Sequence, residues 1–368
     1  MSFEPFRFHP SIQKGISACD YTAATPIQKE AIPPIRKGRD VLGLAQTGTG
    51  KTAAFVLPIL ERLLKRPEKK VRALILAPTR ELAEQTHTSI CRLGEKTGLK
   101  SVAIYGGVGK SPQIKAIRSG AQIIVACPGR LLDLLNDKAV HLADIETLVL
   151  DEADQMFDKG FLPDIKRIVK QLPEKRQTLV FSATMPREIK VLADRLLRDP
   201  ETVRVNDSKP VAAISHTVFN VQKEHRTSLL KTLFQKDGME SALVFTRTKH
   251  KAKSLAMQLK KAGYSATSLQ GNLSQQKRDK AMNGFRTGFF NILIATDIAA
   301  RGIDVLGISH VINYDLPDTV ETYTHRTGRT GRAERTGNAY TFAGREDKKM
   351  VSLIEKNLGK KMHKEPAL

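Results

Sequence analysis

The chain has no tryptophan, and aromatic residues make up only 5% of its 368 positions. That scarcity argues against a surface built from stacked rings. Its three cysteines, Cys19, Cys91 and Cys127, lie far apart. No zinc-like pair or disulfide framework is expected from them, and they suit a reducing compartment. No apolar run is long enough to cross a bilayer. The first residues, with Glu4, Pro5 and His9 among them, lack the charged-then-apolar pattern of a signal peptide. A cytoplasmic chain with no membrane partner is therefore expected. Acidic residues are also in deficit: 38 Asp and Glu stand against 60 Lys and Arg, a net charge of +22. A chain this basic usually meets a polyanion, and one without membrane signals more often meets nucleic acid. The bland alternative is a surface charged only for solubility.

The length exceeds a usual single core, so two domains are expected. Short apolar β-rich runs alternate with helical stretches in both halves. In the first half they are Val41–Ala45, Ala73–Ala77, Val102–Tyr105, Ile123–Ala126, Leu148–Leu150 and Thr178–Phe181. In the second they are Ala242–Thr246, Ala266–Leu269, Ile292–Ala295, Val311–Tyr314 and Ala339–Phe342. The alternation implies an α/β class, with mainly parallel sheets covered by helices on both faces. A polar break at Asn206-Asp207-Ser208-Lys209-Pro210 separates the halves. Domains are expected over 1–206 and 215–368, with 207–214 as linker. The basic end, Arg345 to Lys364, is expected to form a last amphipathic helix and then fray.

Two motifs in the first half carry chemistry. Ala45-Gln46-Thr47-Gly48-Thr49-Gly50-Lys51-Thr52 lies between an apolar strand and the helical stretch Ala53–Leu57. Its glycines let successive backbone N–H groups converge on an anion, and the helix N-terminus adds partial positive charge. Lys51 then reaches the β- and γ-phosphates, and the Thr52 hydroxyl ligates magnesium. The strict pattern has glycine first, where this chain has Ala45. About a hundred residues on, Asp151-Glu152-Ala153-Asp154 follows the buried run Leu148–Leu150. Taken as ordinary helix-start acids, these carboxylates would need no further role. At a strand end they suit magnesium and a nucleophilic water. The pair of motifs equips a chain to bind and hydrolyse a nucleoside triphosphate. A guanine-reading Asn-Lys-x-Asp is missing.

The second half has no phosphate cradle but carries Thr324-His325-Arg326-Thr327-Gly328-Arg329-Thr330-Gly331-Arg332. A lone Arg-x-x-Arg is usually a solvated surface feature. Here the density of guanidinium groups, which suit phosphate oxygens, favours arginine fingers completing a site on the other domain.

The ordered set of motifs resembles the DEAD-box RNA helicases of superfamily 2, most nearly the bacterial RhlE type. It comprises Asp151 to Asp154, Pro78-Thr79-Arg80-Glu81-Leu82-Ala83, Ser182-Ala183-Thr184, Ala295-Thr296-Asp297-Ile298-Ala299-Ala300-Arg301-Gly302-Ile303-Asp304, and His325 to Arg332. The resemblance runs from Phe3 to about Gly344. It implies two tandem RecA-like domains, ATP and Mg2+ as cofactors, and RNA as partner. Asp151 would hold magnesium through water, and Glu152 would orient and deprotonate the attacking water. Asp154 would contact Ser182 and Thr184, linking nucleotide to domain closure, with His325 in the same coupling set. Asp304 would contact the ribose, with Gly302 nearby. Thr25-Pro26-Ile27-Gln28 resembles the family's adenine-reading Q motif, with Tyr21 stacking on the base and Phe3 at the spacing of the upstream aromatic. Two residues depart from the pattern: Asp20 stands where glycine is usual and Ala24 where proline is common.

The same resemblance implies RNA contacts to the sugar-phosphate backbone. In the first domain these would be Thr79, Arg80, Gly106, Gly107, Cys127, Gly129 and Arg130; the family norm at Cys127 is threonine. In the second they would be Thr246, Arg247, Gly271 and Thr296. The implied activity is RNA-stimulated ATP hydrolysis coupled to local, sequence-tolerant parting of short duplexes or remodelling of RNA–protein particles. A monomer is expected. Two other readings stay open: an RNA chaperone or clamp whose ATPase only times release, and a DNA-directed superfamily 2 ATPase. The RNA target is open too, with ribosome assembly, RNA decay and cold adaptation all compatible.

Overall fold

The computed structural model describes residues 3–46, 48–205, 214–236, 239–300, 307–331 and 336–366. The chain divides into two compact units, Met1–Asn206 and Asp207–Leu368. In the first, β1 (Val41–Leu44), β2 (Ala73–Leu76), β3 (Ser101–Ile104), β4 (Ile123–Ala126), β5 (Thr147–Leu150), β6 (Gln177–Ser182) and β7 (Glu201–Arg204) form one sheet in the order β3-β4-β2-β5-β6-β1-β7. Every pairing in it is parallel.

The inner strands β2, β4, β5 and β6 are buried along their whole length. This is why they read as continuous apolar runs rather than alternating ones. Alternate residues nevertheless serve different layers. Ile75, Val125, Val149 and Leu179 pack with helices Pro10–Ala18, Pro26–Arg36, Lys51–Lys65 and Arg80–Leu93. Leu74, Ile124, Leu148 and Val180 pack on the opposite face with helices Pro128–Asn136, Ala153–Asp158, Leu162–Val169 and Arg187–Leu196.

The second unit contains β8 (Ile214–Asn220), β9 (Ala242–Phe245), β10 (Ala266–Leu269), β11 (Ile292–Ala295), β12 (His310–Asn313), β13 (Gly337–Ala343) and β14 (His363–Pro366). Their order, β10-β11-β9-β12-β13-β8-β14, is that of the first sheet with every strand number raised by seven. All of these pairings are parallel as well.

Three strands, β7, β8 and β14, were not expected from the sequence. In β7 only Val203 is buried, the pattern of a sheet edge rather than an apolar run. Ile214, expected to close the linker, begins β8; the linker residues 207–213 lie outside the described residues. The end of the chain corrects the reading as a fraying tail. Helix Lys348–Leu358 forms, and the residues after it return to pair His363–Pro366 with β8. Glu355 fixes this return by accepting from the Met362 backbone N–H at 3.1 Å and from Lys361 Nζ at 2.8 Å.

Candidate nucleotide site and nucleic-acid interface

Parallel strands bring their C-terminal ends to one edge of the sheet, and the candidate residues of the first unit lie at or beyond the ends of β1, β2, β3, β4, β5 and β6, apart from Phe3, Tyr21, Thr25 and Gln28, which precede β1. After β1 the chain turns through Gly48 and Gly50, at φ +89° and +94°, before helix Lys51–Lys65 begins. Both angles lie in the left-handed region open to glycine. Gly50 is also confined by its neighbours: a Cβ there would fall 2.5 Å from Gln28 Nε2 and 2.9 Å from Thr25 Oγ1. The turn is thus fitted against the Q-motif segment. Gln28 ties the two together, its Nε2 donating to the Gly50 carbonyl at 3.1 Å while its Oε1 accepts from the Thr25 backbone N–H at 2.9 Å. These two bonds use one amide proton and one lone pair of Gln28.

Lys51 is buried, and its ammonium donates to the Ala45 carbonyl at 2.9 Å. Thr49 Oγ1 donates to the Gln46 carbonyl at 2.8 Å, and Thr52 is half-buried in the first helical turn. Thr47 lies outside the described residues. Phe3 is buried and stacks on Tyr21, with ring centroids 6.2 Å apart and planes 20° apart, so Phe3 backs the ring that Tyr21 leaves 40% exposed. Asp20 stands at φ +56°, which explains why glycine suits that position.

The carboxylates follow β5. Asp151 is fully buried, and its Oδ1 has no hydrogen-bond partner among the described residues. Burial pushes its carboxyl up, and the Lys51 ammonium opposes that shift. Glu152 holds the N-cap position of helix Ala153–Asp158 at φ +52°, yet its side chain caps nothing. An ordinary capping role therefore does not account for it. Its Oε2 accepts from the Gln155 side-chain amide, a contact that motif spacing did not reveal.

Asp154 binds the segment after β6. Its Oδ2 accepts from the Ala183 and Thr184 backbone N–H groups at 3.1 and 2.8 Å and from Thr184 Oγ1 at 2.9 Å. Its own N–H donates to Ser182 Oγ at 3.2 Å. The structure thus brings Asp154, Ser182 and Thr184 into one cluster.

A second cluster forms beyond β2, β3 and β4. Gly107, at φ +83°, leaves room for the Arg80 guanidinium, which would lie 2.1 Å from a Cβ placed there. Arg130 Nη1 donates to the Val108 carbonyl at 3.0 Å, and both guanidinium groups lie within about 4 Å of a Cβ built on Gly106. Arg80, Gly106, Gly107 and Arg130 therefore share one place, and Gly129 beside them faces open space. Thr79 caps its own helix by accepting from the Leu82 N–H at 3.1 Å, while Cys127 stands at the next helix start with no capping bond.

In the second unit Thr246 is buried, Thr296 half-buried and Gly271 exposed, each just beyond a strand. The Arg247 guanidinium pairs with Asp318 at 3.0 Å, and its backbone N–H donates to Asp315 Oδ2 at 2.9 Å. In the arginine cluster, buried Arg326 grips both oxygens of Asp297, at 2.6 and 2.7 Å, and reaches the Asp315 carbonyl at 2.7 Å. Arg326 is therefore a strut between strand ends. Arg329 is buried and His325 half-buried. Arg332, Gly302 and Asp304 lie outside the described residues.

Family profiles match both halves: a DEAD/DEAH box helicase over residues 25–192 and a helicase conserved C-terminal domain over 224–334. The DEAD-box ATP-dependent RNA helicase CshA of Bacillus subtilis is 42% identical over 372 residues, spanning 100% of this chain and 75% of the relative. The chain belongs to the DEAD-box RNA helicases. CshA of Streptococcus pneumoniae is 43% identical over 365 residues, covering 99% of this chain and 69% of the relative. Among solved structures, Saccharomyces cerevisiae Dbp5 bound to RNA and ADP BeF3 superposes with a TM-score of 0.91 at 34% identity, covering 100% of this chain and 96% of that one. Mss116p bound to ssRNA and AMP-PNP gives 0.88 at 26% identity, over 99% and 78% of the two chains. The expected DEAD-box family and the two parallel, helix-flanked RecA-like sheets are met, and the two bacterial relatives above both carry the name CshA.

The family uses ATP with magnesium, and the residues present fit that pair. A buried carboxylate with an orphaned oxygen lies in the field of the Lys51 ammonium, beside a glycine turn that admits no side chain at Gly50. Among the described residues no cluster of three or more metal-ligating side chains exists. No helix among the described residues is long and apolar enough to cross a membrane.

Proposed function

We propose that this chain hydrolyses ATP in response to single-stranded RNA and uses the cycle to part short duplexes or remodel RNA–protein particles without regard to sequence. The observation that carries this reading is the composition of one sheet edge. It holds the Lys51–Asp151–Glu152 site beyond β1 and β5 and the Arg80–Gly107–Arg130 cluster beyond β2, β3 and β4.

In this reading the backbone from Ala45 to Gly50, with Lys51, binds the phosphates. Thr52 and Asp151 hold magnesium, which when bound offsets the charge that develops on the phosphoryl oxygens. Glu152 accepts a proton from the attacking water. Gln28 reads the adenine edge and Tyr21 covers the base, supported from behind by Phe3. Arg329 and Arg332 serve the γ-phosphate, and Gly302 and Asp304 the ribose, once ATP and RNA together draw the units of residues 1–206 and 215–368 into a closed state. Asp154, Ser182, Thr184 and His325 couple that closure to nucleotide. RNA lies along Thr79, Arg80, Gly106, Gly107, Cys127, Gly129 and Arg130, and along Thr246, Arg247, Gly271 and Thr296. The working form is a cytoplasmic monomer, and ribosome assembly, RNA decay and cold adaptation are all compatible with it.

Two variants test the assignment. Glu152→Gln should keep ATP affinity while RNA-stimulated turnover falls by on the order of 100-fold or more, the usual share of a general base. Lys51→Ala should lose affinity as well as turnover. Parental turnover in Glu152→Gln would remove the proposed base.

A further inference from the structure

Gln155 stands one turn into helix Ala153–Asp158, and no role attaches to it so far. Its side chain is 2% exposed, so its contacts are made without water to replace them. Its Nε2 donates to Glu152 Oε2, and its backbone N–H donates to Asp154 Oδ1 at 3.0 Å. The orientation of the amide follows from chemistry: turning it over would press a carbonyl oxygen against a carboxylate. Its Oε1 is buried without a hydrogen-bond partner among the described residues. The buried amide is thus committed to Glu152 at the expense of its own acceptor. The amide is therefore one of the groups that fix the Glu152 carboxylate at the start of this helix.

We propose that Gln155 is a positioning residue for ATP hydrolysis, holding the Glu152 carboxylate in the orientation from which it takes the proton of the attacking water. In that step the water oxygen bonds the γ-phosphorus, the bond to the β-phosphate oxygen of ADP breaks, and the released proton goes to Glu152. Gln155 touches none of the reacting atoms and acts only by fixing a carboxylate whose placement must hold to within about 0.5 Å. The inference rests on Glu152 being the base.

The test is a mutant cycle in the full chain. Gln155→Met keeps the length and removes the donor. It should lower RNA-stimulated kcat by on the order of 10- to 100-fold, the usual cost of misplacing a reacting group. The KM for ATP, the affinity for a fluorescent ATP analogue and the thermal midpoint should change little. Gln155→His, which restores a donor, should recover most of the loss. Gln155→Leu, similar in volume and unable to donate, should repeat it and serves if the methionine variant does not fold. In a Glu152→Gln background, Gln155→Met should add almost nothing, because its effect passes through Glu152. Parental kcat in both donor-free variants overturns the inference. So does a loss that His does not relieve and that is matched by lost nucleotide affinity, since that marks packing alone. If Glu152→Gln itself is fully active, the reading of the base has failed; if Glu152→Gln is inactive while Gln155→Met is parental, only the positioning role has.

Discussion

At Cys127 helix capping and the proposed RNA contact fall on one residue. It occupies the N-cap of helix Pro128–Asn136 with the extended backbone a cap requires, φ −79° and ψ 134°, and makes no capping bond. Burial pushes its thiol up to about 12, so at neutral pH it offers neither charge nor a strong acceptor. Threonine, the residue of the family pattern, would accept from the N–H groups of the first helical turn. Cys127→Thr should therefore stabilise the first unit by about 0.5–1 kcal/mol, read as a higher urea midpoint, and should tighten RNA binding in a titration. An unchanged midpoint would contradict the capping argument. Lys51, whose chemistry is local to a glycine turn, was legible in the residues themselves; the Asp154 contacts, 28 to 30 positions away, were legible only through the family resemblance. Gln155 was not, because its role depends on which way an amide turns inside a buried helix. Arg326 was read only as one of a dense basic set, because its partner Asp297 lies 29 positions away.

Strands buried on both faces advertise themselves as apolar runs, which is why β2, β4, β5, β9 and β11 were legible. The edge strands β7 and β14 were not, because one side meets solvent and their pairing is decided by the neighbour. The β8–β14 edge carries a titration as well. His216 on β8 lies 2.8 Å from the Tyr323 hydroxyl of helix Val320–Thr327, and that hydroxyl also reaches Met362 Sδ at 3.5 Å. Burial, aided by Lys360, lowers the His216 pKa from 6.5 to about 4. Between those values the unfolded chain binds a proton that the folded chain does not, so stability rises with pH. Full stability should hold above about 6.5 and be lost progressively as pH falls toward 4. Circular dichroism of urea unfolding from pH 7.5 to 4.5 measures this, and His216→Gln should flatten the slope. An identical slope in the variant would assign the titration elsewhere.

The whole chain builds one sheet twice and equips it for nucleotide once. Under the shift of seven strands, β8 takes the place of β1 and β12 the place of β5. After β1 come two left-handed glycines and Lys51; after β8 come Val221 to His225, without glycine, and then Arg226 at the helix start. Arg226 is buried against Asp315 at 3.0 Å and Asp347 at 3.5 Å, with Asp315 just beyond β12 as Asp151 is beyond β5. The second unit has thus closed its equivalent position with its own ion pairs, and its basic residues are left to other tasks. Charge then decides how the molecule meets RNA. With a net +22, no tryptophan and guanidinium groups gathered at a glycine turn, binding should be governed by phosphates rather than bases. The logarithm of RNA affinity should fall linearly with the logarithm of salt concentration, by about 0.7 for each single-strand phosphate neutralised. Arg80→Ala should reduce that slope by about 0.7 and weaken homopolymeric and mixed RNA strands alike, and Arg130→Ala should do the same. Fluorescence anisotropy at several salt concentrations with unrelated oligonucleotides is the measurement. A variant that loses one sequence and keeps the others, or an affinity indifferent to salt, would replace the phosphate cluster with base recognition.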